Sequence, residues 1–543
     1  MPVATAHAVA LNGALGHLID VQADVSQGQA NIAMVGRADA TLREGIDRVR
    51  TGIINSGLVW PATKRLTVLL SPADLPKSGT HFDLAVAVAI LAADDALPLA
   101  TLHRTGFVGE LTLSGGLRPA AGVLPMVLAA AERGIRRVFV PEPQTGEARM
   151  VPGMEVIGIR SLAQVVAELR GEEAPAAPPV AARSGTQLLT WRGEERLDEL
   201  DLADLHGLSD SKYAVEVAAA GGHPLLLSGP KGSGKTSLAE RIPTLLPDLM
   251  PEESLELTAV HSLAGILDPT KGMITRPPFA APHHDASKAS IVGGGKGHVR
   301  PGEISRAHCG VLFLDEFPLF RSDVIDALRQ PLESGDITVA RQEESVTLPA
   351  RGLLVLAANP CPCGNYSSRP AENHCKCAPP VLRHYQSKVS GPIADRIDIT
   401  RHVLASRGSE VDPFRPPEPS AVVRERVAAA RARQLERFAG CSWRLNSQVP
   451  GPRLKERWPV ERAGQDLVDQ ELYGGRLSAR GAIRVLRLAW TVADLLSVRT
   501  GTDVTPGFGE VATALRLRSG EPVDLRAATG ERGAGADVEE VAG

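Results

Sequence analysis

Over the first third of the chain, apolar positions come in short runs with two different spacings. "LTVLLSP" (66–72), "FVGELTL" (107–113) and "RRVFVPE" (136–142) are compact and rich in β-branched residues, which predicts strands. "FDLAVAVAILAAD" (82–94) and "PMVLAAAERG" (125–134) keep a helical spacing. The alternation predicts an α/β region over residues 1–170. "GEEAPAAPPVAARSG" (171–185) then mixes Pro, Ala and charge without any period, so 171–199 reads as a linker. Between 200 and 405 the apolar runs "LLLSG", "GVLFLDEF" and "GLLVLAANP" predict a second α/β region. Beyond it, "EPSAVVRERVAAARARQLERFAG", with Ser420 as N-cap, "SARGAIRVLRLAWTVADLLSVR" and "GFGEVATALRLR" predict the helices of a lid over 415–518. Residues 519–543 are polar and aperiodic and read as a disordered tail.

Composition changes this picture little. A chain of 543 residues has room for two to four domains, and 43% hydrophobic with 22% charged residues is ordinary for a globular protein. A formal charge of −4 places any nucleic-acid surface locally, in loops or a pore. No apolar run reaches the roughly 20 residues that span a bilayer, and the N-terminus lacks a basic start followed by an apolar core. Six cysteines, four of them clustered, fit a reducing compartment, and the cytoplasm is the expected location.

The chemistry concentrates in the second region. "GPKGSGKTS" supplies Gly229, Pro230, Lys231, Gly232, Ser233, Gly234, Lys235, Thr236 and Ser237. Glycines let backbone N–H groups converge on phosphate oxygens, Lys235 reaches the β and γ phosphates of ATP, and Thr236 ligates Mg²⁺. Asp315 and Glu316 follow the strand pattern "GVLFL": the first to help hold Mg²⁺, the second to polarise the attacking water. Asn359 ends "GLLVLAAN" and could orient the same water; a turn-forming Asn before Pro is the plainer alternative.

The order GPKGSGKT, GVLFLDEF, AANPCPCG, SGPIADRID and LSARG resembles the magnesium-chelatase-like AAA+ ATPases, and within them the ComM/YifB family, over about residues 1–520. The resemblance implies a P-loop AAA+ module with a C-terminal helical lid, in a ring of copies of this chain, expected to be a hexamer, with ATP between subunits. It implies that Asn359 is sensor one, Arg396 the finger reaching a neighbour's γ phosphate, and Arg480 sensor two; a surface ion pair is the alternative for both arginines. It also implies helicase or branch-migration activity on DNA in recombination or natural transformation, beside recombination proteins. A protein-remodelling or metal-chelatase motor is the second reading.

The first region resembles the Lon-protease fold. Aligned on Pro76, Lys77 and Gly79, the serine nucleophile position of that family falls on His81 and the partner lysine on Leu124. Without a hydroxyl and an amine at those positions the dyad is missing, which disfavours an ATP-dependent protease and predicts a non-catalytic scaffold or partner surface.

Two further patterns carry chemistry. "NPCPCGNYSSRPAENHCKCAPP" sets Cys361, Cys363, Cys375 and Cys377 as C-x-C, eleven residues, C-x-C, a set that could close around Zn²⁺ or stand as free thiols. "KASIVGGGKGHVRPGE" offers Lys288, Lys296, His298 and Arg300, and "GDITVARQEESVTLPA" predicts a β-hairpin with Arg341 near its tip. Both could line a pore and grip a DNA backbone, or be solvated loops. The arginines of 424–437 read as the exposed face of the lid.

Overall fold

The computed structural model describes residues 3–36, 40–73, 75, 77, 79–181, 199–295, 299–341, 344–366, 373–389, 393–404 and 417–530. The N-terminal region is built on a seven-stranded sheet in the order Asn31–Val35, Arg65–Ser71, Leu15–Ser26, Ala4–Asn12, Thr105–Phe107, Arg137–Pro141, Glu155–Ile159. Its longest pair, Ala4–Asn12 against Leu15–Ser26, is an antiparallel hairpin. Ala4, Ala6, Ala8 and Ala10 point inward on alternate residues and are fully buried. Alanine has weak strand preference, so these strands stand out only by alternation and escape the β-branched runs that flag the others. The helix Asp83–Ala93 is buried along its whole length, which is why its sequence is apolar on every face. "FVGELTL" divides into Thr105–Phe107 and Glu110–Leu111, two short strands in different sheets.

The second region carries a five-stranded sheet in the order Phe279–Ala280, Val311–Leu314, Leu353–Ala358, Leu225–Ser228, Ile399–His402. Every neighbouring pair is parallel. Counted by appearance, that order is 2-3-4-1-5, consistent with an AAA+-like fold. Asp336–Arg341 and Glu344–Pro349 form a separate antiparallel hairpin, as the alternating pattern predicts. The turn of the N-terminal hairpin lies against it: a Cβ on Gly13 would stand 2.6 Å from Val346.

The C-terminal helices Ser420–Arg437, Ala479–Thr500 and Phe508–Ser519 do not form a core of their own. Val427, Val485, Leu488 and Leu517 belong to the same buried cluster as Leu225, Leu227, Val355 and Ile399 of the sheet. Three expectations change here. Ser420 lies inside the helix, after Pro419 at the cap position; its hydroxyl instead accepts from the Leu202 N–H at 2.7 Å and bonds Thr244. The arginines of that helix are not a solvated face. Arg426 bonds Glu216 and Glu418, Arg437 bonds Asp494, and Arg431 is half-buried with its guanidinium donating to the Ala219 carbonyl. Burial pushes the Arg431 pKa down to about 10. The chain past Ser519 is also ordered at first: Leu525–Thr529 is helical, and Val523 and Ala528 are buried in the shared core. Residues 531–543 lie outside the described residues.

A buried charge ties sheet to helices. Asp398, just before the Ile399–His402 strand, receives His223 Nδ1 at 2.8 Å and the Arg484 guanidinium. His223 Nε2 meets Thr491 Oγ1 at 2.7 Å on the same long helix as Arg484. Burial alone would raise the Asp398 pKa; the His223 hydrogen bond and the Arg484 charge outweigh it and hold the carboxyl at about 2. An unfolded Asp titrates near 3.9. The stabilisation is therefore complete above about pH 4 and is lost as pH falls towards 2. Asp398→Ala leaves the buried Arg484 guanidinium and the His223 ring without their shared partner, so a urea titration at neutral pH is expected to read a loss of about 3–5 kcal/mol. A loss below about 1 kcal/mol would contradict this account.

Candidate nucleotide site

Parallel pairing brings three strand ends to one edge. Leu225–Ser228 runs into the glycine-rich loop, Val311–Leu314 ends at Asp315, and Leu353–Ala358 ends at Asn359. Ser228 pairs with Ala358 and Leu314 with Leu356, so the three loops emerge side by side. The Gly229 N–H donates to the Ala358 carbonyl at 3.1 Å. No side chain fits at Gly229, where a Cβ would stand 2.1 Å from the Val403 carbonyl oxygen. Gly234, with φ of +92°, turns the loop into the helix Lys235–Glu240.

The predicted side chains meet here. Lys235 is buried, and its ammonium donates to the carbonyls of Gly229 and Pro230 at 2.8 Å each and to Asn359 Oδ1 at 3.1 Å. Burial lowers its pKa, with Asp315 and Glu316 acting in the opposite sense. Thr236 Oγ1 donates to Asp315 Oδ2 at 3.0 Å. Asn359 Nδ2 donates to Glu316 Oε1 at 2.9 Å. Glu316 has a φ of +48°, a left-handed conformation that costs a non-glycine residue of order 1 kcal/mol or more. Its N–H bonds Asp315 Oδ1 at 2.9 Å, which helps hold that turn. A buried ammonium, a glycine loop with no room for a side chain at Gly229 and adjoining hydroxyl and carboxylate oxygens fit a magnesium nucleotide.

Other predicted residues lie apart from this cluster. Arg396 donates from Nε and Nη2 to Glu333 Oε1 at 2.9 and 2.6 Å. It lines a cavity of about 490 Å³ that Lys288 also borders. Arg480 stands exposed near the start of Ala479–Thr500. Lys288 opens the short helix Lys288–Val292, with Ser287 as its N-cap, and Arg300 is exposed on the strand Arg300–Pro301. Lys296 and His298 lie outside the described residues. Arg341 ends the first strand of the hairpin, opposite Glu344. The sulfurs of Cys361, Cys363, Cys375 and Cys377 come together, all within 4.8 Å of one another. Sequence reasoning missed the group around Asp398. The only hint was a histidine, His223, just ahead of an apolar strand run; Arg484 looks like any other arginine of its helix.

In the N-terminal region, His81 is buried with a ring nitrogen 2.9 Å from the Val9 carbonyl, and Leu124 is fully buried. Lys77 is buried with its ammonium donating to the Pro72 carbonyl. Ser78 lies outside the described residues.

The family described as magnesium chelatase, subunit ChlI, matches residues 201–411, with two companion ChlI families at 21–144 and 417–518. An uncharacterized protein of Mycobacterium tuberculosis is 44% identical over 522 residues, 95% of this chain and 99% of the relative. The competence protein ComM of Haemophilus influenzae is 38% identical over 497 residues, 91% of this chain and 94% of the relative. The chain belongs to the ComM/YifB group of magnesium-chelatase-like ATPases. Membership of that group is consistent with an ATP-driven motor and with ATP hydrolysis. A shorter likeness, 26% identity over 163 residues, 28% of this chain and 20% of the relative, is to a Lon protease of Rhizobium meliloti.

For a ComM/YifB-type ATPase site the two acidic and basic groups should separate binding from turnover. Glu316→Gln is expected to cut kcat by roughly 10²–10⁴-fold while nucleotide affinity stays within a few-fold. Lys235→Ala is expected to lose nucleotide binding itself. Phosphate release and titration with a fluorescent ATP analogue read the two effects; equal turnover in Glu316→Gln would remove Glu316 from the reaction.

Proposed function

We propose that this chain is the subunit of a homo-oligomeric ring, a hexamer by family resemblance, that couples ATP hydrolysis to movement along single-stranded or branched DNA. The observation that carries the reading is the meeting of Lys235, Thr236, Asp315, Glu316 and Asn359 at one sheet edge. Lys235 holds the nucleotide, Thr236 and Asp315 supply oxygen ligands for Mg²⁺, and Glu316, oriented by Asn359, takes the proton of the attacking water. Arg396 is the residue lent to a neighbouring protomer, which requires it to leave Glu333 on assembly, and Arg480 acts as sensor two. The DNA reading rests on exposed Lys288 and Arg300, on the hairpin ending at Arg341, and on the relative named a competence protein. Work beside recombination proteins in the cytoplasm follows from the same resemblance. In this reading residues 1–170 keep a Lon-like frame without its chemistry, since His81 and Leu124 stand at the dyad positions.

A metal-insertion or protein-remodelling motor is the second reading, favoured by the ChlI descriptions of all three matched families. ATPase assays with and without single-stranded DNA and a four-way junction separate them. DNA is expected to stimulate turnover several-fold at about 50 mM salt and much less at about 200 mM, because phosphate contacts release counterions. Arg341→Ala is expected to reduce that stimulation. Arg396→Ala is expected to lower turnover by roughly 10³-fold or more, the effect of losing an arginine finger. Absence of stimulation by either DNA at both salts would favour the second reading.

A further inference from the structure

The four clustered cysteines sit against the nucleotide site, and their spacing is that of a metal centre. Cys361 Sγ lies 3.2 Å from Cys363 Sγ, Cys363 3.7 Å from Cys375, and Cys375 3.6 Å from Cys361. A disulfide would need about 2.05 Å, and all four thiols are free. Tetrahedral Zn²⁺ with Zn–S bonds of about 2.3 Å would set its sulfurs about 3.8 Å apart. The polypeptide around them is arranged to hold that shape. The Gly364 N–H donates to the Cys361 carbonyl at 2.9 Å, closing the first turn. The His374 N–H donates to the Asn365 carbonyl at 3.2 Å, pinning the second C-x-C against the first. The Cys377 N–H points at Cys375 Sγ at 3.4 Å. Neither C-x-C pair lies in a helix or strand, and only Cys361 is buried. Apolar packing therefore gives this knuckle little support of its own.

Two contacts join the knuckle to the ATP-binding edge. Asn359 precedes Cys361 by two residues, and its side chain bridges Lys235 and Glu316. On the other side, Gly364 presses on the glycine-rich loop: a Cβ there would come 2.9 Å from Lys231 Cγ and 3.2 Å from Cδ. The knuckle thus touches the nucleotide site from both ends of one short turn.

We propose that Cys361, Cys363, Cys375 and Cys377 bind one Zn²⁺, and that the metal is a positioning element for Asn359 and for the glycine-rich loop at Lys231. Metal binding fixes the turn from Cys361 to Gly364, which in turn fixes where the Asn359 amide meets Glu316. The four cysteines never touch the nucleotide. Their effect on turnover runs through Asn359, so this arm of the proposal rests on the ATPase reading, whereas zinc binding itself does not.

The test begins with the full-length protein purified without chelator. About one zinc per chain is expected, falling below a tenth of an equivalent in Cys375→Ser/Cys377→Ser. Under a tenth of an equivalent in the folded wild-type protein overturns the metal site. Coupling is read on the same wild-type chain, stripped by a mild chelator and then refilled, so that a misfolded variant does not decide the outcome. Stripping is expected to lower kcat at least tenfold, with a smaller change in KM, and refilling with Zn²⁺ to restore it. A Co²⁺-loaded sample is expected to shift its visible absorption when a non-hydrolysable ATP analogue binds, a response that a remote structural metal would not give. Zinc present, but turnover unchanged on stripping and a cobalt spectrum indifferent to nucleotide, overturns the coupling. If the intact protein hydrolyses no ATP, the ATPase reading fails; zinc content then still decides the site, and the cobalt response to nucleotide decides the coupling.

Discussion

Parallel pairing of five strands is the constraint on which the rest of the ATPase region depends. A parallel neighbour must start again from the same end, so each strand delivers its C-terminal loop to one edge. Once Ser228 is registered against Ala358 and Leu314 against Leu356, the loop lysine, the acidic pair and Asn359 can only be neighbours. The apolar runs that create the strands therefore also set the spacing of the polar groups. The same edge carries backbone strain, where Glu316 takes a left-handed backbone next to the carboxylate that caps its N–H.

The helical region is bound to that sheet by more than apolar contact. Asp398 closes a buried circuit with His223 and Arg484; Glu216 receives Arg426 from the helix Ser420–Arg437 and Arg499 from the same helix as Arg484, and Asp494 of that helix receives Arg437. Buried ion pairs of this kind add little net stability over a well-packed apolar core, but they penalise any arrangement that separates the partners. Sheet and helices share one core and one set of charges, so a displacement of the helices is felt at the start of the strand Ile399–His402. Arg396 lies two residues before Asp398.

The N-terminal region is connected to the ATPase region by several contacts. Glu147 accepts from the Leu124 N–H and from Ser262 on the helix Pro251–Ala264, whose Leu255 and Ala259 pack among Val123, Met126 and Val127. The hairpin turn at Gly13 rests on Val346 of the second hairpin. These contacts pack the N-terminal region against the ATPase region.

The sequence by itself determined three of the five strands of the ATPase sheet, the long C-terminal helices and the identity of the groups that meet at the edge of that sheet, because those features are local. A glycine loop, an acidic pair after an apolar run and a 3.6-residue period need only a few adjacent residues to be read. It did not reveal the Ala4–Asn12 hairpin strand, whose small residues carry alternation without β-branching. It also misjudged Ser420, the arginines of 424–437 and the segment 520–530, since exposure and capping depend on what is packed alongside. Only the tertiary structure decided that Arg396 is held by Glu333, that Asp398 draws together residues 175 and 86 positions away, and that four cysteines meet beside Lys231. Each of these is a long-range encounter between charged or thiol groups. Its outcome depends on distance and burial in three dimensions, and neither quantity is encoded in the spacing of residues along the chain.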